Sequence, residues 1–363
     1  MSAIVAVRKS STARRSGDRS QVLHSRTSCG EQLSVRMGSL VDMTTTDPSS
    51  RQMRATCPED LLAFVPVALG FSPTSSVVLL SVEGTRPFHA RIDLPGDESD
   101  VDDVVGALLR PARKHGISKV VIVVYDDDTA VADETAWSLY EGLTAAGVEV
   151  VEVLRVHDGH YFAVLPGRQP EAYRGIAFDV GHHPFAAESV LGGRVTHSSR
   201  EALAATLARD EGVAAAVAEL VAAASPLPAA GIRPLISAHA TSRIPLPPDV
   251  VARLAVSLAQ PELRDEAWRW LSRASAGSCV EFWSDLVRRT PEELVAGPAS
   301  VLALTAWLAG EGALAWCAVD RARAAEPEHS LADLVAELLM SATSPELWEV
   351  ITPSAPGSAE GAA

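Results

Sequence analysis

The sequence predicts an α/β protein: a mixed parallel and antiparallel sheet of order ββαβαββ with helices on its faces, followed by an all-helical C-terminal region. Three observations carry this. Lys119–Tyr125, KVVIVVY, is an uninterrupted apolar run of strand length, rich in β-branched residues. Stretches of helical periodicity, 97–115 and 129–146, stand on either side of it, the alternation expected of crossover connections. From Asp249 onward the apolar spacing is helical throughout.

Taken in order, residues 1–54 are rich in Ser, Thr and Arg and have no apolar period, so a disordered or mis-assigned extension is expected, with Met43 as one internal start. Residues 1–40 hold seven Lys and Arg against two acids. Arg14-Arg15 is followed by no apolar stretch, so no export signal is read there. Thr56-Cys57-Pro58-Glu59 has capping-box spacing, with Thr56 as N-cap, and opens a helix limited by Pro66 and Gly70. Residues 76–82 form a continuous apolar run, hence a buried strand. Glu83-Gly84-Thr85-Arg86 turns the chain into an alternating strand. That strand has Phe88, Ala90, Ile92 and Leu94 on one face and His89, Arg91 and Asp93 on the other.

After the central strand, Gly147 ends the second helix and residues 148–156 form a strand. Asp158-Gly159 makes a type I′ turn into its partner at 161–165. The α/β domain is expected over 55–200, with an irregular stretch at 166–198. Ser198-Ser199-Arg200-Glu201 reads as a capping box opening an Ala-rich helical connection over 201–224. Residues 225–248 read as a Pro-rich linker, 249–350 as the helical region and 351–363 as a disordered tail. Within the helical region, Thr290 with Glu293 and Ser330 with Asp333 have N-cap spacing.

Composition excludes several functions. The net charge of −15 opposes a general nucleic-acid binder, which needs clustered Lys and Arg. Cys29, Cys57, Cys279 and Cys317 are far apart and form no C-x-x-C pair, which fits free thiols in a reducing, cytoplasmic setting. The 299–319 run carries only Glu311 as a charge. Alanine is its commonest residue, though, and Gly310 and Gly312 break it, so two short helices are expected and no membrane span.

The blocks LLAFVPVALGFSPTSSVVLLSV, RIDLP at 91–95 and KVVIVVYDDD, with the tail segment GEGALAWCAVDRARAAEP, resemble a family of actinobacterial proteins described only as a domain of unknown function. The likeness runs from about Thr56 to Trp348. It implies domain limits and a cytoplasmic actinobacterial setting, and brings no catalytic residue with it. Gly310, Ala315, Val319, Ala322 and Pro327 also have the spacing of the second half of a tetratricopeptide repeat. One such unit without neighbours predicts a single helical hairpin rather than a solenoid.

Chemistry has few places to sit. Asp126-Asp127-Asp128 follows the central strand directly, where open α/β sheets bind ligands. Such oxygens suit Mg²⁺, and equally suit the cap and first turn of the next helix. Arg91 and Asp93 share the polar face of their strand, as an anion-binding pair or a structural one. His157 and His160 flank the hairpin turn. His182, His183 and His197 are the remaining cluster, with no metal-ligand spacing such as H-E-x-x-H. P-loop, nucleophile-elbow and dinucleotide-binding signatures are missing. The expected function is therefore a non-catalytic ligand- or partner-binding protein. A protein partner would be met through the Trp-rich helical region, with Trp268, Trp270, Trp283, Trp307, Trp316 and Trp348 mostly in its core. The alternative is a metal-assisted hydrolase or phosphoryl-group enzyme using Mg²⁺ on the 126–128 acids and Arg91 for an anion.

Overall fold

The computed structural model describes residues 4–7, 41–43, 53–82 and 88–348, the first two segments by backbone alone. The expected turn at 83–86, the tail 351–363 and most of the leader lie outside the described residues. The elements are β1 (Ile4–Val7), β2 (Val41–Met43), β3 (Met53–Ala55), α1 (Pro58–Leu69), β4 (Ser76–Ser81), β5 (His89–Asp93), α2 (Val101–Lys114), β6 (Lys119–Tyr125), α3 (Thr129–Ala145), β7 (Glu149–His157) and β8 (His160–Ala163). Next come α4 (Pro170–Arg174), β9 (Ile176–Ala177), α5 (Pro184–Leu191) and α6 (Arg200–Ala205). The helical region comprises α7 (Glu211–Val221), α8 (Ala229–Ser242), α9 (Pro248–Leu258), α10 (Pro261–Trp268), α11 (Arg273–Arg289), α12 (Ala296–Ala309), α13 (Gly312–Ala325) and α14 (Ser330–Met340).

Six strands run β5-β4-β6-β7-β8-β9, and β1 adds in parallel outside β5. The β6–β7 pair is parallel, with α3 as its crossover, and the other pairs among the six are antiparallel. This is the predicted mixed sheet, with KVVIVVY inside it. One face, through Val77, Leu79, Ile122, Val124 and Val153, packs on α2 and α3. The other, through Val78, Leu80, Val121, Val123 and Leu154, packs on α1 and shares a continuous core with the helical region. At the β7–β8 hairpin, Asp158 and Gly159 have the two positive φ angles that a type I′ turn needs.

Helix α1 starts one residue later than the spacing suggests. Asp60, not Glu59, closes the box by accepting from the amide of Thr56 (2.6 Å) and the amide of Cys57 (3.3 Å). Pro66 lies inside the helix and is tolerated; Gly70, at φ 80, ends it. The second box is also shifted, since Ser199 caps α6 by accepting from Ala202 N–H. The hydroxyl of Thr290 closes the end of α11 on the Leu286 carbonyl, and His329 rather than Ser330 caps α14. Residues 225–248 hold α8, whose Ile232 and Ile236 are fully buried despite Pro234.

The Ala-rich run at 299–319 becomes the hairpin α12–α13, closed by Gly310 at φ 81. Of its two helices, α12 packs against both α11 and α14, and α13 packs against α14. Among the described residues no helix is long and apolar enough to cross a membrane. Trp283, Trp307, Trp316 and Trp348 are buried, so the helical tryptophans mainly fill the core.

Candidate functional site

The acids after β6 are engaged locally. Asp128 caps α3, accepting from Ala130 N–H (3.0 Å) and Val131 N–H (3.4 Å). Asp126 accepts from the amide of Asp128 (2.8 Å), and Asp127 meets His157 Nδ1 at 3.0 Å. Turn and cap chemistry thus accounts for Asp126 and Asp128, and a surface hydrogen bond to His157 for Asp127. Among the described residues no group of three or more His, Cys, Asp or Glu is arranged to hold a metal ion.

Arg91 lies at the same end of the sheet but on the other face. Strand register puts Ser76 between Asp93 on one side and Tyr125 on the other. The Arg91 side chain turns toward α1, while Asp128 caps a helix on the opposite face. Only 4% of Arg91 is exposed. Its Nε donates to Ser76 Oγ (2.8 Å), its Nη2 pairs with Asp93 (2.5 Å), and the guanidinium lies 5.7 Å from the Phe71 ring centre. Burial pulls the guanidinium pKa down, and the Asp93 carboxylate works against that. Nearby, Arg200 bonds Asp320 at 3.0 Å and ties α6 to α13. Arg91 and Asp93 therefore form one polar knot at the junction of sheet and helical region, apart from the 126–128 acids.

A second polar cluster surrounds the amino end of α1. Hydrogen bonds from Thr56, His183 and Cys57 overcome burial and hold the Asp60 carboxyl below its ordinary range. His183 spends both ring nitrogens: Nδ1 accepts from Phe185 N–H (3.3 Å), which leaves Nε2 to donate to Asp60 Oδ1 (3.0 Å). Tyr161 donates its hydroxyl to Glu59 (2.9 Å). Burial, with the charges of Asp60 and Glu59, pushes the Cys57 thiol up to about 12. A thiol held protonated, with Asp60 rather than a free imidazole nitrogen as its neighbour, is not an activated nucleophile. His182, next in sequence to His183, points elsewhere and pairs with Asp179 (2.8 Å) at the surface. His197 contributes its backbone, receiving from Ser72 N–H and donating to the Gly70 carbonyl, both at 2.9 Å.

His183 is legible in the sequence, but the cluster of Glu59, Asp60 and Tyr161 is not: the Thr-x-x-Glu spacing points to Glu59 rather than Asp60 as the box acid, and Tyr161 joins only through the tertiary fold. Nor does any sequence signal mark the buried Glu152, which meets Arg168 Nε at 2.9 Å.

In the helical region, a groove of about 180 Å³ opens between α8 and α11, lined by His239, Ile244, Leu246, Phe282, Asp285 and Arg288. Arg243 ends α8 in the left-handed region (φ 54), which costs a non-glycine residue about 1 kcal/mol, and the next residue, Ile244, is left 63% exposed. His239 Nδ1 fixes that turn by bonding the Ile244 carbonyl (2.9 Å). Ion pairs Arg243–Glu281 (3.5 Å) and Arg288–Asp285 (3.3 Å) join its lining residues.

A family model, Domain of unknown function (DUF4192), matches residues 58–346, well over half of the chain. The chain belongs to this family. Neither a curated protein nor a solved structure matches it.

Proposed function

We propose that this member of the DUF4192 family is a non-catalytic binding protein whose helical region receives a protein partner in the α8–α11 groove. The observation that carries the reading is Ile244, a large aliphatic side chain held out beside Phe282 on a left-handed turn. An apolar centre with charged groups beside it is the layout of a small docking site, and its volume suits one large side chain of a partner. Ile244→Asp places a charge there without touching the core. Affinity capture from a native lysate is expected to return a partner with the wild-type chain and to lose it with Ile244→Asp. A surface control, Met340→Asp on α14, should retain it. Identical capture by all three proteins, or none by the wild type, overturns the reading.

The alternative, a metal-assisted hydrolase or phosphoryl-group enzyme, draws less support. Asp126 and Asp128 already serve the turn and cap of α3, and Arg91 already serves Asp93 and Ser76.

A further inference from the structure

We infer that residues 176–197 form a strap that opens as a unit from the amino end of α1, with His183–Asp60 as its latch. Both ends of this segment are held by backbone pairing. At one end β9 pairs with β8, and Phe178 N–H donates to the Gly159 carbonyl (3.1 Å). At the other, His197 bridges to Phe71. Just before β9, Gly175 sits at φ 100 with the Phe162 ring where a side chain would go, so the chain bends there against an aromatic wall.

Between these ends little apolar surface is buried. Phe178, Val180 and Phe185 pack partly against the core, and Ser189 is the one buried residue of α5. Val190, Leu191 and Val195 are 69%, 87% and 72% exposed. A segment with so few buried contacts opens at a lower free energy than the core beneath it. The His183–Asp60 bond is its polar tie to α1, and the same imidazole caps α5. Losing it frees the middle of the strap and uncovers the cluster of Cys57, Glu59 and Asp60. The strap rests on different residues from the α8–α11 groove, so either inference can fail alone.

Cys57 reports the opening, and Cys279 and Cys317, buried in the helical core, report global unfolding within the same molecule. With iodoacetamide at fixed pH and peptide mapping of the adducts, His183→Ala is expected to raise Cys57 labelling about tenfold, the scale of one lost hydrogen bond to a charged group. Cys279 and Cys317 should keep their rates. Hydrogen–deuterium exchange of the wild-type chain gives an independent reading: amides of 178–194 should exchange together and faster than those of 61–69. Unchanged Cys57 labelling, equal acceleration at all three cysteines, or strap amides as protected as those of α1 would each overturn the inference.

Discussion

Replacing Gly297 with alanine should cost about 3 kcal/mol of folding stability, the upper part of the range for overpacking a core. The sign is informative, because an unobstructed glycine-to-alanine change within a helix gains about 1 kcal/mol. Gly297 lies in the first turn of α12, where the helix crosses the end of α9. An added Cβ would stand 2.6 Å from the Leu258 carbonyl oxygen and 3.0 Å from its carbonyl carbon. Those are backbone atoms at the end of a helix, so no rotamer change relieves the clash; the two helices must separate. Separation opens the core around Leu258, Val301 and Leu302, all buried. Urea unfolding of wild type and Gly297→Ala measures the difference. A neutral or stabilising result would mean that α9 and α12 part at little cost.

The second large effect is at Arg91. Arg91→Met keeps the length of the side chain but removes the partner of Asp93 and a donor to Ser76. Breaking a buried ion pair from one side typically costs about 3–5 kcal/mol, since the remaining charge is stranded. Asp93 is partly open to water and can be rehydrated, so a loss of about 2–3 kcal/mol is expected. The double variant Arg91→Met with Asp93→Asn should recover much of that loss, because it leaves no unpaired charge behind. Arg91→Lys should not restore stability, as one ammonium cannot reproduce the planar fork that reaches Ser76 and Asp93 together. If the double variant is no more stable than Arg91→Met alone, the Arg91–Asp93 pair is not what holds this corner.

Fold class was legible because the strongest signals are local. KVVIVVY, the Asp158-Gly159 turn and the Gly310 break each act through the residues beside them, and each appears where the spacing places it. Helix starts were less legible by one residue. In Thr-Cys-Pro-Glu-Asp, two acids compete for the backbone donors, and Tyr161, which is 102 positions from Glu59, draws that carboxylate toward the hairpin. Proline misled in α8, where Pro234 suggested a linker but burial of Ile232 and Ile236 stabilises the helix around it. The site residues were legible one at a time and not in combination. Arg91 and the 126–128 acids share a sheet end, yet α1 and α3 cover opposite faces, and sequence alone does not say which face a helix takes.

We propose a purely structural role for the acids closing the central strand, in the turn and cap of α3 and in the bond to His157. Its most direct test is the melting temperature of wild type, Asp127→Ala and Asp128→Ala, each with and without Mg²⁺, Mn²⁺ and nucleoside triphosphates. The predicted result is no ligand-dependent shift in any of the three, with Asp128→Ala about 1 kcal/mol less stable under every condition through loss of its helix cap. A rise in melting temperature with Mg²⁺ or Mn²⁺ in the wild type that disappears in Asp127→Ala would contradict the claim.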